Sequence, residues 1–256
     1  MKVTFKLIGV SALALTVALC GCGKKSESRG SSDAETIVNS AVSEIGRRAN
    51  ASEMAINGRK LIQGIMEANV ARQSNFLPPV WPRTKNDGTV SGEDISYQTF
   101  SSAAGYFNYL FDMAHYGTSD WDPTIDGDLL GTLGKDAVVG KTIRADGLDW
   151  CIAANVYDEM PDFMPILVSA NFNPAYLPRK WDGKTDRNKL LPIGPKSGAA
   201  KSMFDDKLIV IVRKNGAADV IKGTALTYES LYGGNKFDFS GHERPFCYLT
   251  PNGLAE

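Results

Sequence analysis

Side chains suited to proton transfer and soft-metal ligation are scarce here: 256 residues hold two histidines and four cysteines. No G-x-S-x-G elbow presents a serine as a nucleophile. His242-Glu243 lacks the second histidine that H-E-x-x-H needs to hold zinc, and both His115 and His242 read as surface or satisfied structural residues. Gly134-Lys135-Asp136 ends in an acid where a phosphate loop needs a magnesium-binding hydroxyl, and Leu129 stands where its first glycine belongs. The acids Asp120, Asp122, Asp126 and Asp128 recur at spacings a calcium loop uses. In an EF-hand frame from Asp122, however, the twelfth position is Leu133 instead of a bidentate glutamate. A solvated Asp/Gly turn fits this stretch better than calcium held by Asp122, Asp126 and Asp128. No cofactor and no catalytic residue is expected.

Two of the four tryptophans precede an aspartate, Trp121-Asp122 and Trp181-Asp182. Exposed aromatic faces beside acceptors suit a sugar, so a lipid-anchored carbohydrate-binding protein is the alternative functional reading. Trp150, inside an apolar run, reads as core.

The N-terminus is more specific. Lys2 and Lys6 precede an uncharged run that ends at Gly23, about the length of a signal core and shorter than the roughly 20 residues a bilayer span prefers. Leu19-Cys20-Gly21-Cys22 resembles a bacterial lipobox, with an apolar first position and a small residue before the acceptor. The resemblance implies removal of residues 1–21 as a signal peptide, lipidation of Cys22 and a membrane held as partner through that anchor. Two or more acyl chains hold a protein to a membrane stably, whereas one does not. Gly23 is not the Asp that marks inner-membrane retention in some bacteria, so an outer-membrane location in the cell envelope is preferred.

Removing Lys2 and Lys6 from 28 basic residues against 29 acidic ones leaves a formal net charge of −3. With no clustered positive charge, nucleic acid is not an expected partner. The 43% apolar and 22% charged fractions are ordinary for a globular domain. Residues 22–32 read as a lipidated flexible tether and 33–256 as one domain. Cys151 and Cys247 remain as a pair that an oxidising compartment would bridge, with two buried free thiols as the other reading.

The elements that position these residues follow from periodicity. Ser32 and Glu35 form a capping-box pattern opening a helix to about Gln73, which Pro78, Pro79 and Pro82 prevent from continuing. A second helix is expected from Glu93 to Tyr116, on Phe100, Ala104, Phe107, Leu110, Phe111 and Ala114. Strand-type runs follow at 150–156, 166–170 and 208–213, and Asn215-Gly216 turns the last into a returning strand at 218–222. The segments 120–141 and 171–200 read as long connections. Helices followed by antiparallel strands predict an α+β domain. Along the first helix, Val38, Ala41, Val42, Ile45, Ala49 and Ile56 form one apolar stripe, and Leu61, Ile62, Ile65 and Met66 form another, rotated from it. The change falls at Asn57-Gly58, so the first half of the helix must overhang the domain or fold back there. The overhanging form is expected, with Ile62, Ile65 and Met66 facing the protein's own core and Val38, Val42 and Ile45 docking a partner protein of the envelope.

Several ordered segments resemble the globular part of type II secretion pseudopilins and type IV pilin-like proteins: "ANVARQSNFLPPVWP", "YFNYLFDMA", "LDWCIAANV", "PILVSANFNPAYLP" and "KLIVIVRKNGAADVIKG" with "LTYESLYGG". The similarity covers most of residues 51–234. It implies a long N-terminal helix plus a second helix on a small antiparallel sheet, and a structural, non-enzymatic role in a secretion or pilus-like assembly. The N-terminus departs from that group: Gly9-Val10 replaces the Gly-Phe processing site, and Ala14 stands where a glutamate is usual. A lipid-anchored relative of the pilin-like domain is the description that follows.

Overall fold

The computed structural model describes residues 30–84, 98–112, 130, 138–139, 142–193, 204, 207–240 and 246–255. The chain divides into two compact units, Met1–Ala41 and Val42–Glu256. In the first, the described residues are helical, and Thr36, Asn39, Ser40 and Ala41 are exposed. The second carries the α+β architecture.

Helix α1 (Gly30–Ser74) runs without a break through Asn57-Gly58, so the folded-back alternative does not form. Its end is a Schellman motif: Phe76 N–H bonds Gln73 O at 3.1 Å, and Leu77 N–H bonds Arg72 O at 2.9 Å. The segment after the prolines then returns to the core. Asn69 Oδ1 accepts the Val80 N–H at 2.6 Å, and Val80 and Trp81 are buried.

Helix α2 (Ala103–Asp112) is shorter than the periodicity suggested. Ser102 Oγ accepts the Gly105 N–H at 3.1 Å and so caps the helix there. Phe100 precedes the helix in extended chain, where its N–H bonds Arg83 O at 2.7 Å. The expected ends, 93–97 and 113–116, lie outside the described residues. A two-stranded ribbon, β1 (Val138–Val139) with β2 (Thr142–Ile143), also forms near the end of the stretch read as a connection. The Asn108 side chain ties it to α2 by pairing with both backbone groups of Ile143, at 2.8 and 2.9 Å.

The main sheet is built from β3 (Trp150–Ala154), β4 (Pro165–Ser169), β6 (Leu208–Arg213), β7 (Ala218–Lys222) and β9 (Cys247–Leu249). Its order is β7-β6-β4-β3-β9, and every pairing is antiparallel. All residues of β3, β4 and β6 are buried, which requires cover on both faces and explains why these strands read as unbroken apolar runs. Leu208 pairs with Lys222 and Val212 with Ala218, and Gly216 at φ 80° makes the turn as Asn215-Gly216 suggested. One face, through Trp150 and Val212, carries α1. The opposite face carries α3 (Tyr228–Tyr232), which Arg213 meets by donating to Leu231 O at 2.6 Å and Ser230 O at 3.3 Å. The same guanidinium pairs with Asp219 at 2.7 Å, so a nearly buried charge is fully engaged. A second ribbon, β5 (Lys180–Trp181) with β8 (Phe237–Asp238), breaks up the long connection expected at 171–200.

Candidate functional site: the exposed face of the long helix

Two faces of α1 have opposite fates within residues 42–74. Ala51, Met54, Ala55, Leu61, Ile62 and Ile65 are buried, with Gly58 among them against the sheet. Gly58 is a point of close approach, since a Cβ there would lie 2.6 Å from Val212 Cγ2 and 2.8 Å from the Trp150 ring. The absence of a side chain at Gly58 is therefore what lets the helix lie against Val212 and Trp150 of the sheet.

On the other face the apolar side chains meet solvent. Val42 is 62% exposed, Ile45 68%, Ile56 53%, Met66 40% and Val70 67%. At about 100° per residue this stripe is centred roughly 140° from the buried one. The two stripes overlap along the helix instead of exchanging at Asn57-Gly58. Met66, expected in the core, belongs to the exposed stripe, while Ile62 and Ile65 are buried as expected, with Leu61 of the same stripe beside them. Ala51 and Met54 were missed as core, although their spacing to Ala55, Gly58 and Leu61 repeats the same helical interval. Val38 lies in α1, in the first unit.

Beside Met66 and Val70 a groove of about 650 Å³ opens between α1 and the hairpin tip at Asn215-Gly216. Past the helix end, Phe76 holds a left-handed backbone at φ 58° with its ring 98% exposed. That conformation costs an L-residue roughly 1–2 kcal/mol, and burial of the ring within this domain does not offset it. A second cavity of about 490 Å³ lies between Arg47, Arg48, Lys207 and Lys222, with Leu208 on its floor. Glu44 pairs with Arg48 at 2.6 Å on its rim, which holds the Glu44 carboxyl below its usual range.

The cysteine pair requires a correction. Both thiols are free. Cys247 pairs across strands with Ala154, three residues along β3 from Cys151. Three residues of strand span about 10 Å, and an odd offset puts the two side chains on opposite faces of the sheet, beyond the roughly 7 Å that a disulfide tolerates between alpha carbons. Cys151 is fully buried, and burial pushes its thiol up to about 12. Burial also raises Cys247, whose sulfur lies 3.9 Å from Thr84 Oγ1 and 3.7 Å from Asn155 Nδ2.

Trp181 is likewise no sugar platform: it is 3% exposed, and its indole N–H donates to Thr185 O at 2.7 Å. Trp81 and Trp150 are buried as well. Cys22, Trp121, Asp122, Asp126, Asp128, His115 and His242 lie outside the described residues. Among the described residues, no group of three His, Cys, Asp or Glu side chains is placed to hold a metal ion, and no helix is long and apolar enough to cross a membrane.

Comparison with family models, with curated proteins and with solved structures finds no match. The site's own geometry has to carry the functional reading.

Proposed function

We propose that this chain is a non-enzymatic, lipid-anchored protein of the cell envelope, held through Cys22, whose pseudopilin-like domain docks a protein partner through the exposed face of α1. The observation that carries the reading is the exposure of Val42 and Ile45 on a helix whose other face is already buried against its own sheet. A helix with one buried stripe ordinarily puts polar residues on the opposite side. Here that side keeps large apolar ones, as an interaction surface does. The lipobox-like Leu19-Cys20-Gly21-Cys22 supports the anchor, and a long helix laid on an antiparallel sheet agrees with the pilin-like resemblance. The preferred site is the outer membrane, in a structural or partner-binding role within a secretion or pilus-like assembly.

Two measurements test the two halves of this reading. Metabolic labelling with an alkyne fatty acid should tag the wild type and miss Cys22→Ser; equal labelling of both removes the anchor at that residue. Val42→Asp with Ile45→Asp should abolish co-purification of the envelope partner while leaving the melting temperature nearly unchanged. A marked fall in melting temperature would show that this face packs within its own domain, and the docking role would fail.

A further inference from the structure

The exposed apolar residues of α1 fall into one heptad frame. With Val42 at position a, Ile45 is d, Ala49 a, Ile56 a, Met66 d and Val70 a. The large exposed apolar side chains of the helix between residues 42 and 74 all occupy a or d. In the same frame the buried residues Ala51, Met54, Ala55, Leu61, Ile62 and Ile65 occupy only c, f and g. One helix thus carries two separate seams; the a/d seam follows a 3.5-residue repeat through Val42, Ile45, Ala49, Ile56, Met66 and Val70, with polar Ser52, Arg59 and Gln73 at the other d positions and Gln63 at a.

We infer that the occupant of this seam is α1 of a second copy of the same chain, in a parallel, in-register pair. This rests on the docking role proposed above and names its partner. Three features select a second copy. Three of the five a positions, Val42, Ile56 and Val70, are β-branched, the residue type that two-stranded parallel pairs place at a. Arg48 at g, which pairs with Glu44 of its own helix at 2.6 Å, also comes opposite Glu53 at e of the partner helix in a parallel pair, an attraction that repeats on both sides of the two-fold axis. Chains anchored to one membrane through the same N-terminal cysteine present their helices in the same direction, so the anchor itself favours the parallel arrangement.

Two polar members of the seam, Gln63 and Arg59, agree with a single register. Gln63 at a meets its own counterpart only when the two helices are in register, the part a lone polar a residue plays in paired helices. Arg59 at d does not put its charge into the seam, because its guanidinium turns to Ala218 O of its own sheet at 3.3 Å. The groove beside Met66 and Val70 leaves space along the seam for a second helix at this end.

Cysteine cross-linking in isolated membranes tests the inference on the full-length protein. Val42→Cys, Ile56→Cys and Val70→Cys, each oxidised mildly, should give a disulfide-linked dimer of twice the chain mass. The yield should exceed severalfold that of Arg47→Cys, at the opposed f position, and of the wild type with its own cysteines. Yields equal to these controls overturn the inference. So does cross-linking between Val42→Cys and Val70→Cys chains co-expressed in one cell, which demands an antiparallel pair. An adduct with a different protein at these positions also overturns the second copy as occupant, while leaving the docking face of the proposed function intact.

Discussion

Asp182 and Asp238 hold the β5–β8 ribbon through hydrogen bonds to the charged form of each carboxylate. Asp182 accepts the backbone N–H groups of Thr185 and Lys184, both at 2.7 Å, and the Thr185 hydroxyl at 2.8 Å. These bonds draw its pKa from the ordinary 3.8 to about 2. The turn they fix also presents Thr185 O to the Trp181 indole. Asp238 is lowered further by Lys180 across the ribbon and by the hydroxyl and N–H of Ser240. A folded-state pKa below the unfolded one stabilises the fold above the unfolded value and loses that stabilisation as pH falls through the folded one. The ribbon should therefore hold at neutral pH and loosen as pH drops from near 3.8 toward about 2. Trp181 fluorescence followed through an acid titration reads this directly, and Asp182→Asn should flatten the transition. An unchanged profile in that variant would show that the turn stands without its carboxylate.

Two glycines of α1 separate helix propensity from packing at the scale of the element. Gly46 has nothing within 4 Å of where a Cβ would sit, whereas a Cβ on Gly58 would press into Val212 and Trp150. Gly46→Ala should stabilise the local helix by about 1 kcal/mol, the ordinary difference between the two residues. It should appear as slower amide exchange around residue 46. Gly58→Ala gains the same propensity but must push the helix off the sheet, and overpacking of this kind costs about 1–3 kcal/mol. The expected net effect is a lower melting temperature; a rise would mean that the helix can slide on β3 and β6. Strands β6 and β7 were legible residue for residue, because an apolar run, Asn215-Gly216 and a second run admit one pairing. Helix α2 was read too long because Phe100 keeps the helical spacing while its backbone pairs with Arg83. Strands β1, β2, β5 and β8 were missed because two residues carry no period. The disulfide failed because sequence shows that two cysteines exist but not their register, and the register set them three residues apart on opposite faces.

For the whole molecule, the proposed docking role requires one helix to serve its own fold and leave a face free for a partner. The separation of its two seams meets that requirement. The c/f/g seam is 0% exposed at Met54, Leu61, Ile62 and Ile65, and at Gly58 it meets Trp150 of β3 and Val212 of β6. The a/d seam is left to solvent along most of the same length. Sequence alone revealed that two stripes exist, because both have helical spacing. It put Ile62 and Ile65 on the core side and Val42 and Ile45 on the outside, but placed Met66 in the core, because it had the stripes exchange at Asn57-Gly58 when they run side by side. The separation predicts independent energetics. Ile62→Ala removes buried methyl groups and leaves a cavity against the sheet, which costs about 2–5 kcal/mol at such sites. Ile45→Ala removes the same atoms from water and should change monomer stability by no more than about 0.5 kcal/mol. Urea unfolding at concentrations low enough to keep the chain monomeric measures both. The same pair measured where partners assemble should change order, with Ile45→Ala now weakening association and Ile62→Ala acting only through the fold. If Ile45→Ala proves as costly as Ile62→Ala in the monomer, the exposed stripe is a second part of the core, and the division of the helix into two seams is wrong.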